Sequence, residues 1–181
     1  MRRDKALLER DGTVMWRRQR DRLAAAGAAE LLLSARSDQA WAETAEGFGA
    51  IVRDASPDSG PLGGITAALE HCTHGHLAVL AVDLPHMEPG WFATLLGDCG
   101  PGVGSVGRIG KFFEPLAAVY PRELAPLACA ALERRELSLQ KLLATGVAQG
   151  LLRVREITPA EQPMFANWNE PGAPAGRASD E

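Results

Sequence analysis

Residues 77–85, LAVLAVDLP, form the most apolar run in the chain, and their reading decides the fold. Turn signals bound the run on both sides, as expected of a central parallel strand covered on both faces. Pro85 closes it, because proline has no N–H to give to a ladder. Asp83 then stands at the carboxyl end of the strand, where ligands of open α/β sheets usually sit.

Outward from this strand, helix and strand patterns alternate. Upstream, residues 12–27 predict a helix opened by Gly12-Thr13 as cap, with Trp16, Leu23 and Ala24 on its apolar face and Gly27 at its end. ELLLSAR (30–36) and GAIVRD (49–54) predict strands, AWAETAEGF (40–48) a helix, and PLGGITAALEHC a glycine-rich loop turning into a helix. Downstream, helices are expected at about 89–97, 122–134 and 138–146, and strands near 103–108, 115–120 and 151–157. The alternation predicts an α/β fold with a mostly parallel sheet. Residues 1–171 read as one domain, and 172–181, GAPAGRASDE, as a disordered tail of small and charged residues.

The 181 residues are 46% hydrophobic, enough for one packed core, and carry a net charge of −4. That charge argues against a nucleic-acid or anionic-membrane partner, so a phosphate ligand must be held by local features. Cys72, Cys99 and Cys129 are odd in number and form no CxxC, which points to thiols in a reducing, cytoplasmic setting rather than a disulfide framework. No apolar segment approaches the ~18 residues that span a bilayer.

Three stretches could carry chemistry. DSGPLGGI (58–65) sets three glycines and a proline before a helix, a place where backbone can approach a ligand and free N–H groups can meet a phosphate or a base edge; an ordinary tight turn has the same composition. Asp83 could hold Mg²⁺, which takes one or two carboxylates plus substrate phosphates, or could cap a turn. In FANWNEP (165–171), an extended chain would put Asn167 and Asn169 on one face and Trp168 on the other; a paired turn is the alternative. HCTHGH (71–76) looks metal-like, yet Gly75 fits a helix C-cap and the histidines suit a negative helix end. SLQK (138–141) matches SxxK, but neither SDN nor KTG accompanies it, so Ser138 reads as an N-cap.

In order along the chain, DKALL, VRD, GPLGGI, VDLP, EPLAAVY and NWNEP resemble the molybdenum cofactor guanylyltransferase family over most of residues 1–171. The resemblance implies a three-layer Rossmann-like nucleotidyltransferase fold. In that family a first strand runs into a loop of the form LAGGxSxRMGxDK. Here Met1-Arg2-Arg3-Asp4-Lys5 matches only its end, and the first strand and glycine-rich loop are missing. A start placed about 15 to 20 residues too far downstream is the corresponding expectation from the family pattern, with the loss of a central strand leaving its neighbours' backbone groups without partners.

Position by position, the resemblance implies that Lys5 meets the nucleotide phosphates. Asp54 and the loop Gly60, Pro61, Leu62 and Gly63 lie beside the nucleotide, and Asp83 holds Mg²⁺. Asn167 and Asn169 lie on the acceptor side, Asn169 among the catalytic residues with Lys5 and Asp83. Ser34 stands where the family usually has a nucleotide-binding asparagine. The implied reaction transfers GMP from GTP to the terminal phosphate of molybdopterin and releases pyrophosphate. Further partners would be cofactor-biosynthesis proteins or a recipient molybdoenzyme. The acceptor phosphate is mostly ionised at neutral pH, with a second pKa of about 6, and needs no strong base. Alignment and charge neutralisation suffice, which suits a chain without a Ser/His/Asp constellation. Sixteen arginines against three lysines make Lys5 conspicuous, because a compact ammonium differs from a guanidinium at a phosphate. A molybdopterin cytidylyltransferase, or a non-catalytic homologue that binds molybdopterin or a molybdoenzyme, are the rival readings.

Overall fold

The computed structural model describes residues 4–53 and 58–168. A short 3₁₀ turn (Lys5–Leu7) leads into a hairpin, β1 (Glu9–Arg10) and β2 (Thr13–Val14), and then α1 (Met15–Ala25). There follow β3 (Leu32–Ala35), a 3₁₀ turn (Ala40–Thr44), β4 (Ala50–Arg53), α2 (Gly60–His71), β5 (His76–Leu80) and α3 (Pro89–Asp98). The second half adds β6 (Gly104–Ile109), β7 (Phe112–Phe113), β8 (Ala117–Pro121), α4 (Ala125–Glu133), α5 (Leu139–Ala148) and β9 (Leu152–Glu156).

The hairpin corrects the expected helix over 12–27. Asp11 and Gly12 both have positive φ, 51° and 73°, the combination that a tight two-residue hairpin turn demands and that Asp-Gly supplies most readily. Gly12-Thr13 is therefore a turn and a strand start, and Val14 precedes the helix without a side-chain cap. At the other chemistry-bearing stretches, GPLGG is already the first turn of α2 rather than a loop before it, with Pro61 near its start. Gly75 is no left-handed C-cap, because α2 ends at His71 with Cys72 as its cap and Gly75 does not have a positive φ. Ser138 does cap α5, its side chain accepting from the Lys141 N–H.

The α/β class holds, and the pairings refine the sheet. β6 pairs parallel with β9, but β8 pairs antiparallel with both β5 and β6. The cause is local: Gly110-Lys111 turns β6 straight into β7, and the chain returns as β8 with no crossover helix between. Alternate residues face opposite layers. Val106, Ala118 and Tyr120 pack with Leu62, Ile65 and Leu69 of α2 and with α4 and α5, while Ala117 and Val119 pack with Trp91, Phe92 and Leu95 of α3. These are the three layers. At Gly104 a Cβ would lie 2.2 Å from the Val119 carbonyl oxygen, so β6 and β8 come together there only because the side chain is absent.

β3 and β4 form a separate parallel pair. Among the described residues no strand lies between β3 and β5, and each is paired along one edge alone. α2 packs against β3, β4 and β5 and so bridges the two pieces from one face. On the other, Trp16 of α1 stacks on Trp41, with ring centroids 6.3 Å apart, while Leu23 reaches the α3 layer. Here the expectation for residues 77–85 needs correcting. β5 ends at Leu80, five residues early, and all five of its residues are half-buried rather than covered on both faces.

Candidate active site

The loop after β5 carries Asp83, and α1 holds that loop in place. Gln19 is 4% exposed, and its amide nitrogen donates to the carbonyls of Ala81 (2.7 Å) and Leu84 (2.9 Å). Arg22 donates to the Gln19 amide oxygen at 2.5 Å and to the Pro85 carbonyl at 2.6 Å. These bonds give partners to main-chain carbonyls that lie beyond the end of β5. From the far side, the Trp168 N–H donates to the Asp83 carbonyl at 2.8 Å.

Lys5 enters this loop from the start of the chain. Its Nζ lies 3.5 Å from Asp83 Oδ2, with the two side chains 46% and 27% exposed. A pair that open to water contributes under about 1 kcal/mol to stability, so its interest is chemical. Lys5 owes its position to Asp4. One Asp4 oxygen accepts from the Ala6 N–H at 3.0 Å, and the other accepts from Gln39 Nε2 at 2.7 Å and Trp41 Nε1 at 2.8 Å. Burial alone would raise the Asp4 pKa, but these donors, aided by the Arg36 charge, hold it below the usual carboxylate value.

The positions named from sequence divide into five groups. Lys5 and Asp83 are together. Asn167 is exposed in the segment that Trp168 ties to the Asp83 loop. Ser34, Gly60 and Pro61 line a cavity of about 1340 Å³ between β3 and β5, whose wall extends to Val82 beside Asp83. Leu62 and Gly63 are buried in α2, Leu62 wholly within the main core, so any ligand contact from them would be through backbone. Asp54 and Asn169 lie outside the described residues. Sequence reasoning passed over Asp4, Gln19 and Arg22 as site-building residues. Of these only the DK pair carried a signal, through its resemblance to a loop end.

Among the described residues no cluster of three or more His, Cys, Asp or Glu side chains could hold a metal by itself. Asp83, a single part-exposed carboxylate on a braced loop, fits an ion such as Mg²⁺ that keeps water and substrate phosphates as its other ligands. Two of the three histidines of HCTHGH have other partners: His76 Nε2 lies 3.1 Å from the carbonyls of Gly100 and Val103, and His74 lies 3.7 Å from Glu30. All three cysteines are free thiols. No helix among the described residues is long and apolar enough to cross a membrane.

The chain that folds into this three-layer α/β arrangement matches the family model described as MobA-like NTP transferase domain over residues 1–151. Its class is therefore nucleotidyltransferase. The chain is 38% identical over 174 residues to "Probable molybdenum cofactor guanylyltransferase" of Opitutus terrae, covering 94% of this chain and 85% of that protein. It is 33% identical over 181 residues to the molybdenum cofactor guanylyltransferase of Pseudomonas fluorescens, covering 93% and 82%. The chain belongs to the molybdenum cofactor guanylyltransferase family. The fold is shared with molybdopterin-guanine dinucleotide biosynthesis protein A of Archaeoglobus fulgidus, with a TM-score of 0.70 at 19% identity over 92% of this chain and 85% of that one. It is also shared with a CMP:2-keto-3-deoxy-manno-octonic acid synthetase complexed with CTP, with a TM-score of 0.60 at 16% identity over 84% and 83%.

Proposed function

We propose that the protein transfers GMP from GTP to the terminal phosphate of molybdenum-molybdopterin. An oxygen of the acceptor phosphate attacks the α-phosphorus of GTP, a new P–O–P linkage forms, and the bond to the β-phosphate breaks as pyrophosphate leaves. The observation that carries this reading is the Lys5–Asp83 pair at 3.5 Å on a loop tied down by Gln19, Arg22 and the Trp168 N–H. The pair offers one cation to the phosphates of a triphosphate and one carboxylate to its metal, which supports the reading.

In this reading Lys5 neutralises the phosphates, and Asp83 holds Mg²⁺, which would screen the charge of the departing pyrophosphate when bound. Ser34, Asp54 and the backbone of Gly60, Pro61, Leu62 and Gly63 bind the nucleotide. Asn167 and Asn169 orient the acceptor. The substrates place the work in the cytoplasm, on free small molecules.

The test is pyrophosphate release from GTP and from CTP in the presence of molybdopterin and Mg²⁺. GTP-dependent release that falls by about 10²-fold or more in Asp83→Asn, with the fold retained, is the expected result. A preference for CTP, or molybdopterin binding without release from either nucleotide, would overturn it.

A further inference from the structure

One large apolar side chain stands in water at the rim of the site. Phe112 is 53% exposed, more than any other large apolar residue among those described. It follows the Gly110-Lys111 turn between β6 and β7, and Lys111 Nζ lies 5.2 Å from the centroid of its ring, within cation–π range. A lone exposed aromatic is ordinary, but this one is firmly mounted. The N–H of the next residue, Phe113, donates to Gln140 Oε1, and Gln140 Nε2 donates to the Phe113 carbonyl, both at 2.9 Å. The Phe113 side chain packs against the core shared with α2, α4 and α5. A strand of only two residues is thereby pinned to α5, while the Phe112 ring is left in solvent.

Strand pairing sets where that ring stands. β5 and β6 both run antiparallel to β8, so they are parallel to each other and end on the same side of the sheet. Val119 is the partner of both Ala78 and Ser105, so counting on along the register brings Ile109 level with Val82, the residue before Asp83. The sideways separation is at most two strand spacings, about 10 Å. Phe112 is the direct partner of Ile109 and shares its face. That face is the α3 layer, where Ile109 packs in one cluster with Met164 and Phe165. From Phe165 the chain passes exposed Asn167 to Trp168, whose main-chain N–H donates to the Asp83 carbonyl. Phe112, the 165–168 segment and the Lys5–Asp83 pair thus border one shelf at the strand ends. The cavity lined by Ser34, Gly60 and Pro61 lies on the opposite side of Asp83, between β3 and β5. A nucleotide held there leaves the shelf to the second substrate.

We propose that Phe112 is the stacking platform for the flat ring system of the acceptor, whose terminal phosphate lies at Lys5 and Asp83. This rests on the transfer reading above and adds to it the residue that recognises the acceptor's ring. A fused heterocycle laid on Phe112 covers an apolar surface that water now meets, and stacking asks only for a π-face. Lys111 beside the ring supplies a cation to an acceptor that carries a phosphate. Because the hairpin is already pinned by Gln140, little ordering is left for binding to impose.

The test uses the full chain and its Phe112→Ala, Phe112→Leu and Phe112→Tyr variants. Equilibrium dialysis measures binding of molybdopterin without nucleotide, and of GTP with Mg²⁺ without molybdopterin. Phe112→Ala and Phe112→Leu should weaken molybdopterin binding about tenfold, the effect of losing one stacked ring, and leave GTP binding unchanged. Phe112→Tyr, which keeps the ring, should bind molybdopterin as the parent protein does. In the transfer assay the loss should fall on KM for molybdopterin, with kcat and KM for GTP unchanged. Unchanged molybdopterin affinity in Phe112→Ala, full affinity in Phe112→Leu, or a parallel loss of GTP affinity would overturn the proposal. The two readings fail separately. Molybdopterin binding that depends on Phe112 in a protein that releases no pyrophosphate upholds the platform and overturns the transfer, whereas transfer by Phe112→Ala at an unchanged molybdopterin KM does the reverse.

Discussion

β5 and β8 are hydrogen-bonded neighbours of five residues each, yet every residue of Ala117–Pro121 is buried while every residue of His76–Leu80 is half-buried. Hydropathy does not separate them, since LAVLAV is the most apolar run in the chain. The difference is in their company: β8 has β5 on one side and β6 on the other, whereas β5 has β8 and a gap. A strand's burial is thus set by what lies on both of its edges and faces, and only part of that is written in the strand itself.

The largest break in the comparison would come from the closed side. Gly104→Ala should destabilise the protein by about 4 kcal/mol or unfold it, because the new Cβ would have to displace the backbone of Val119 and Pro121 rather than a flexible side chain. Denaturant unfolding followed by circular dichroism measures this. Truncation in each strand sharpens the contrast. Val119→Ala should cost about 2.5 kcal/mol, whereas Val79→Ala, beside the gap, should cost about 1 kcal/mol, because a half-exposed valine has less burial to lose. Equal costs in the same assay would remove the distinction.

Much of this layout could be read from residues, and its failures have physical causes. Alternating helices and strands, Ser138 as a cap and Asp83 beyond the apolar strand could be read because each depends on neighbours within a few positions. The Asp11-Gly12 hairpin is legible too, since the dipeptide is its own signal, but a glycine before an amphipathic run also predicts a helix start. The antiparallel return of β8 and the half-exposure of β5 could not, because they depend on which strands meet across the sheet. The brace from Gln19 and Arg22 to the Asp83 loop likewise joins residues 62 to 65 positions apart.

Smaller effects test the open end of β3 and β5. Asp4→Ala should cost about 2 kcal/mol, because the Trp41 and Gln39 donors lose a charged acceptor. The cost should depend on pH in a defined sense. A carboxyl whose folded pKa is depressed stabilises the fold above its unfolded value of about 3.9, and that contribution disappears as pH falls through the lower folded value. Melting curves of the protein and of Asp4→Ala should therefore converge on acidification below about pH 4. Least of all, Lys5→Ala should change stability by less than about 1 kcal/mol while removing nucleotidyl transfer, a division that thermal melts and a pyrophosphate assay can read on the same sample.

The Asp4 clamp has one more consequence, an optical one. Trp41 donates its indole N–H to Asp4 and lies nearly parallel to Trp16, at 20°. Indole emission is sensitive to both hydrogen bonding and ring stacking, so the segment that presents Lys5 carries its own chromophore. The segment whose main-chain N–H at Trp168 donates to the Asp83 carbonyl carries another. With Trp91 buried against the Ala117 carbonyl as a steady background, the two ends of the Lys5–Asp83 pair can be followed by intrinsic fluorescence in unlabelled protein.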